Sequence, residues 1–169
     1  GIAKALELGE VQVRKDLGAV CGAGRPRVGY DRAELTASLE DCLGGRPAAA
    51  GIVGAGKLGR ALLDYAGFSE YGTNILAAFD LHLPAGGDRS EQKPIYPMSM
   101  LADFCIANHV RIGIVTVPKE AAQAVTDVLY RSGVRAFWCF APCRLQLPPD
   151  AVIQYENLAL SLAHLKARL

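Results

Sequence analysis

Residues 50–80 read AGIVGAGKLGRALLDYAGFSEYGTNILAAFD, and this stretch decides the fold. A short apolar run, Ala48–Val53, leads into Gly54-Ala55-Gly56-Lys57-Leu58-Gly59. An apolar helical segment, Leu58–Tyr65, comes next, and a second β-like run, Ile75–Phe79, ends on Asp80. The order is strand, glycine turn, helix, strand, acid. Each glycine has a separate task. Gly54 permits the tight turn off the strand, Gly56 lets the backbone approach a pyrophosphate, and Gly59 lets the helix lie close to the sheet. The helix start offers free N–H groups and a positive dipole end to phosphates. Asp80 stands where a carboxylate accepts the ribose hydroxyls of an adenosine, and it repels a 2′-phosphate, which favours NAD(H) over NADP(H). On these residues alone the alternatives are a mononucleotide, coenzyme A or no ligand.

Working outward, the rest of the chain supplies the remaining layers of such a fold. Leu81–Pro97 is polar, with glycine and proline, and reads as a surface connection with a short strand near Ile95. Met98–Asn108 reads as a helix, Arg111–Val115 as a buried strand, Lys119–Ser132 as a helix closed by Gly133, Val134–Phe140 as an apolar strand and Ala151–Gln154 as a last short one. Strands alternating with helices predict an α/β, Rossmann-like doubly wound parallel sheet. The turns Thr116-Val117-Pro118 and Ala141-Pro142 fall at carboxyl ends of strands, where ligands of open α/β sheets sit. Tyr155–Leu169 reads as a terminal helix, apolar over most of its circumference, which calls for a partner subunit.

The segment before the sheet is of another kind. Gly1–Leu8 is helical by pattern, and Glu10–Leu17 reads as a short helix carrying Gln12, Arg14 and Lys15, with Gly9 as its N-cap. Gly18–Tyr30 is glycine-rich, with Arg25 and Arg27 around Pro26. Helix, turn, helix and basic hairpin make the second half of a winged helix-turn-helix, the alternative being a solvated basic helix and a loop. Asp31–Leu43 is an amphipathic helix broken by Gly44-Gly45-Arg46-Pro47. The expected division is 1–45 for a partial winged-helix DNA-binding domain and connecting helix, 46–154 for an NAD(H)-binding Rossmann domain, and 155–169 for a dimerisation helix.

Composition narrows the function classes. The 169 residues are 51% hydrophobic and 21% charged with net charge +1, so nucleic-acid binding must come from a local basic cluster. No stretch approaches a membrane span, no signal-peptide pattern is present, and the five cysteines are odd in number and scattered, which reads as reduced thiols in the cytoplasm. Cys139 and Cys143 match neither a CxxC pair nor a zinc knuckle, and no metal site is expected. Catalytic residues are likewise not expected. His82 follows the ribose acid, His109 precedes a strand at its amino end, His164 is on the terminal helix, and no Tyr-x-x-x-Lys pair is present. A cofactor site without an acid–base group reads as a binding module, with an NAD-dependent oxidoreductase fragment or a coenzyme A-binding Rossmann protein as alternatives.

QVRKDL (Gln12–Leu17), VGY (Val28–Tyr30), VGAGKLGRALLDY (Val53–Tyr65), AAFD (Ala77–Asp80), IGIVTVP (Ile112–Pro118) and FAPCRLQLP (Phe140–Pro148) stand in one order. In them the chain resembles the Rex family of redox-sensing transcriptional repressors over essentially its whole length. The resemblance implies a homodimer whose last helix is exchanged between subunits, with operator DNA bound in the presence of NAD⁺ and released when NADH binds. It implies DNA contact by Gln12, Arg14, Lys15, Arg25 and Arg27, and cofactor contact by Gly54–Gly59, Tyr65, Asp80, Thr116, Val117, Pro118, Ala141 and Pro142. Tyr65 matches a tyrosine whose contacts differ between the two redox states, and Asn157, Leu158, Leu162 and Leu165 belong to the exchanged switch helix. Three departures stand out. The family's first winged-helix helix has no counterpart, so the chain reads as N-terminally truncated. Its helix-turn-helix glycine is Glu7, and Asn157 stands where an aspartate is usual.

Overall fold

The structure, a computed structural model, describes residues 2–21, 29–44, 47–83 and 88–168, the side chains of 41–44 excepted. The elements in order are α1 (Ile2–Ala5), α2 (Glu10–Cys21), α3 (Arg32–Gly44), β1 (Ala48–Val53), α4 (Lys57–Asp64), a 3-10 turn (Ala66–Tyr71), β2 (Thr73–Asp80), β3 (Asp88–Arg89), β4 (Pro94–Pro97), a second 3-10 turn (Met98–Met100), α5 (Leu101–Ala107), β5 (Ile112–Val115), α6 (Lys119–Arg131), β6 (Ala136–Cys139), β7 (Val152–Tyr155) and α7 (Leu158–Lys166). They form two compact units, Gly1–Pro47 and Ala48–Leu169.

In the second unit seven strands form one sheet in the order β3-β4-β2-β1-β5-β6-β7. All neighbours are parallel except β3 and β4. With β3 set aside, the strands count 3-2-1-4-5-6 by chain order, the arrangement of a dinucleotide-binding sheet, and the order reverses between β1 and β5. β1 is apolar throughout because both its faces are covered. Ala50 and Ile52 join a core with Leu63, Ile75, Ala78, Ile95 and Ile114. Val53 joins the opposite core with Phe79, Leu101, Val115, Leu129 and Phe137. Each fully buried large side chain there stabilises the sheet by about 1.5–3 kcal/mol.

Three expectations are corrected. The expected doubly wound parallel sheet is present, but the connection Leu81–Pro97, read with one short strand near Ile95, holds a second, antiparallel edge strand where Asp88 and Arg89 fold back against Ile95 and Pro94. The terminal helix starts at Leu158 and not at Tyr155. Tyr155 ends β7, where its hydroxyl accepts the Leu145 N–H at 2.8 Å, and Asn157 caps the helix by accepting the Leu160 N–H at 2.9 Å. The leucines of α7 are exposed, Leu158, Leu160, Leu162 and Leu165 by 60, 50, 67 and 61%.

In the first unit α2 packs against α1 and α3, and Ala3 and Val13 are buried. Here the third correction applies. α2 runs through Gly18 to Cys21, so the glycine-rich hairpin cannot begin at Gly18; the helix-compatible Ala19-Val20-Cys21 carries it past a glycine that costs about 1 kcal/mol relative to alanine. Glu7 sits at φ 54, in the left-handed region that glycine enters freely, in the turn between α1 and α2. Asp31 caps α3, its Oδ1 accepting the N–H groups of Ala33 at 2.9 Å and Glu34 at 3.1 Å.

Candidate functional site

The loop after β1 is held by backbone packing that tolerates no side chain at two of its glycines. Gly54 has φ 103, and a Cβ there would meet Thr116 backbone at 2.8 Å. A Cβ on Gly59 would lie 1.9 Å from the Gly54 carbonyl oxygen. Gly56 differs: its φ of −72 suits any residue and a Cβ would meet nothing within 4 Å. Its want of a side chain is not explained by the protein's own packing. Gly56 leads directly into α4, with Lys57 exposed on the first turn and Leu58 half-buried. Thr116, at the end of β5, donates its hydroxyl to the Val53 carbonyl at 3.1 Å and the Gly54 carbonyl at 2.7 Å, tying the strands together where their order reverses.

Asp80 grips this loop from the end of β2. Its Oδ2 accepts the Ala55 N–H at 2.6 Å and its Oδ1 the His82 N–H at 2.9 Å. A carboxylate has about four acceptor positions, so acceptor capacity remains on both oxygens. The Ala55 carbonyl is held as well, by the Arg60 Nε at 2.9 Å, and the same guanidinium pairs with Asp88. That pairing holds the Asp88 carboxyl below its ordinary value, helped by the Arg89 N–H. The two peptide groups that flank the Ala55 Cα are thus fixed, one through its N–H by β2 and the next through its carbonyl by α4, whose Arg60 is braced by β3.

An apolar cleft of about 610 Å³ opens beside it, within the range of small-molecule sites. Val53, Gly54, Gly56, Asp80, His82 and the Thr116-Val117-Pro118 turn line it. A second hollow, of about 220 Å³, is lined by Leu58, Phe140, Pro142, Glu156, Asn157 and Leu158. Ala141 borders a third with Cys143, Arg144 and His164. The two turns at the ligand edge therefore serve different hollows, Thr116–Pro118 with Asp80 and Pro142 with the start of α7.

Tyr65 lines neither of the first two hollows. It is 60% exposed, at the end of a file of rings: Tyr65 to Phe68 at 5.0 Å, Phe68 to Trp138 at 5.7 Å and Trp138 to Phe140 at 4.6 Å, all edge to face. Trp138 donates its Nε1–H to Glu156 at 3.3 Å. The file connects Tyr65 to the Phe140–Glu156 hollow. Arg14 and Lys15 are exposed on α2, and Gln12 donates to Asp16 at 2.6 Å. Arg25 and Arg27 lie outside the described residues. Among the described residues no helix is long and apolar enough to cross a membrane.

The CoA binding domain family matches residues 46–143. The redox-sensing transcriptional repressor Rex of Bacteroides fragilis is 38% identical over 169 residues, 99% of this chain and 77% of its own length. Two solved structures of RSP, a Rex-family repressor, are similar throughout. The complex with β-NAD⁺ and operator DNA has TM-score 0.84 and 31% identity over 99% of this chain and 77% of that one. The complex with β-NADH has TM-score 0.82 and 30% identity over 98% and 78%. Sequence reasoning missed Arg60, Asp88, Phe68, Trp138 and Glu156. Only the glycine loop's own spacing could have pointed to Arg60; the others pair across large sequence separations.

Proposed function

The chain belongs to the Rex family of redox-sensing transcriptional repressors, and from that membership we infer that it is such a repressor, not an enzyme, with NAD(H) as its ligand and operator DNA as its partner. The coenzyme A alternative is not favoured, since the solved relatives hold NADH and NAD⁺. We propose the division of labour read from the sequence: 1–45 for DNA, 46–154 for the dinucleotide, 155–169 for a homodimer, in the cytoplasm.

The observation that carries the ligand reading is Ala55, held through both its backbone N–H and its carbonyl beside Asp80. In this reading the pyrophosphate lies along Gly54–Gly59 at the start of α4, and the adenosine ribose is accepted by Asp80 beside Val117 and Pro118. The nicotinamide reaches the hollow of Leu58, Phe140, Pro142, Asn157 and Leu158, with Ala141 beside it and Tyr65 coupled through Phe68 and Trp138. NAD⁺ and NADH share everything but the ring. The oxidised ring is cationic and costs more to bury among apolar side chains. Reduction removes that charge and lets Leu158 close over the ring. A ligand shifts an equilibrium only by its differential affinity for the two states, and a hundredfold difference amounts to about 2.7 kcal/mol.

The four exposed leucines of α7 support a second copy as their cover, with Leu162 and Leu165 inside the dimer. Gln12, Arg14, Lys15, Arg25 and Arg27 contact DNA in this reading, each phosphate contact adding about one unit to the salt slope. The test is binding of the full-length protein to operator DNA, selected from random duplexes, across NADH/NAD⁺ ratios. Release is expected as the ratio rises. An affinity that stays flat would leave a DNA-binding NAD protein that senses nothing.

A further inference from the structure

The nucleotide site makes no use of Cys139 and Cys143. Cys139 ends β6 and is fully buried, whereas Cys143 is half-buried in the turn beyond it. The Ala141 carbonyl accepts from both residues, from the Cys139 thiol at 3.8 Å and from the Cys143 N–H at 2.8 Å. The turn therefore closes on itself, and both side chains pack into one apolar cluster. Pro142, between them, lines the hollow of Phe140, Asn157 and Leu158, and Cys143 lines the neighbouring hollow with Glu156 and His164.

We propose that Cys139 and Cys143 are a thiol pair that a hydroperoxide closes into an intrachain disulfide, giving this repressor a second redox input at the Ala141-Pro142 turn. Cys143 is the attacking sulfur because it is the accessible one. Its thiolate attacks one peroxide oxygen; the S–O bond forms, the O–O bond breaks, and the departing oxygen leaves as water with the proton Cys143 gave up. Burial raises the Cys139 pKa, and the Cys143 thiol beside it raises it further, so Cys139 is the resolving sulfur. On losing its proton it attacks the sulfenic sulfur; the S–S bond forms, the S–O bond breaks, and hydroxide takes that proton and leaves as a second water. Two thiols have given up two electrons and two hydrogens, and hydrogen peroxide has become two waters. A dithiol reductant reverses the bridge. Cys105 is an internal control: it is buried in α5, and burial pushes its thiol up to about 11.

The bridge pulls Pro142 away from its hollow, so the ring end of the dinucleotide loses its fit. That consequence rests on the ring placement proposed above; the bridge itself does not. The test uses the full chain, hydrogen peroxide in modest excess, alkylation with iodoacetamide and trypsin. Cleavage after Arg135 and Arg144 puts both cysteines in one peptide, AFWCFAPCR. Expected is a peptide without alkyl groups, lighter by two hydrogens, that becomes doubly alkylable after dithiothreitol. NADH affinity falls about tenfold with the bridge and returns with reduction, and Cys143→Ser neither bridges nor loses affinity under peroxide. A doubly alkylated peptide overturns the proposal, as does a Cys143 sulfinic or sulfonic acid beside an alkylated Cys139. A bridged protein with unchanged NADH affinity overturns the second input. Reduced protein that fails to bind NADH speaks against the proposed function alone, because the peptide masses still decide the bridge.

Discussion

The two ends of the ligand edge are built on opposite plans. At the Asp80 end the glycine loop is tied down by the protein's own groups: a residue held through both its N–H and its carbonyl, two glycines whose Cβ would strike backbone, and a threonine bonded to the end of β1. At the Pro142 end the hollow is small, its rim is the start of a helix whose leucines face outward, and its aromatic file ends on an exposed tyrosine. In the proposed reading the rigid end holds the part of the dinucleotide that both redox forms share, and the open end meets the part that differs. A sensor needs a differential affinity for the two forms, and in that reading only the end that meets the ring can supply it.

The sharpest way to break the comparison is to put a methyl group where the rigid end has no room. Gly59→Ala drives a Cβ into the Gly54 carbonyl, and a loss of about 3 kcal/mol or more in unfolding free energy is expected by denaturant titration. Gly56→Val has open space and an ordinary φ, so its melting temperature should stay near wild type while NADH affinity drops about a hundredfold or more. If Gly56→Val unfolds like Gly59→Ala, the glycine serves the fold and not the ligand.

At the open end the exposed leucines are expected to carry association. Leu162→Ser with Leu165→Ser should convert dimer to monomer by light scattering, with loss of operator binding. A stable dimer in that variant would mean another surface holds the copies together. Next in size is Asp80→Asn, which keeps one acceptor oxygen: NADH should weaken by about 2 kcal/mol, roughly thirtyfold, and NADPH by less. Equal losses for both would remove Asp80 from the ribose.

The smallest effect concerns Arg60 and Asp88. The folded-state pKa of Asp88 lies below its ordinary value, so this pair's stabilisation is present above the ordinary carboxylate range and is lost as pH falls through the depressed value. Arg60→Ala should return the Asp88 titration, followed by NMR, toward an ordinary carboxylate and weaken NADH a few-fold. An Asp88 that titrates identically in both proteins would mean that Arg60 does not hold it.

Legibility in the sequence obeys the same division. β1 has the bounds read from its apolar run, and the glycine spacing with Asp80 locates the rigid end, because local turn chemistry leaves a mark at fixed offsets. The surplus of leucine on α7 also reads directly from sequence. The Arg60–Asp88 pair does not, since its partners lie 28 residues apart and charge pairing has no period. β3 is two residues long inside a polar connection, too short to alternate. The aromatic file joins Phe68 in a 3-10 turn to Trp138 on a distant strand, which only the folded sheet brings together. The start of α7 is hidden because Tyr155 and Asn157 suit a helix by composition; the cap at Asn157 and the pairing of Tyr155 with Cys139 decide otherwise.

The most direct test of separate jobs for the two ends is the ratio of NAD⁺ to NADH dissociation constants. It is to be measured through the single tryptophan, Trp138, in wild type, Asp80→Asn and Leu158→Ser. Asp80→Asn should weaken both forms alike and leave the ratio within about twofold of wild type, while Leu158→Ser should move it toward one by about tenfold. A ratio that changes with Asp80 and ignores Leu158 would contradict the assignment of anchoring to one end and redox reading to the other.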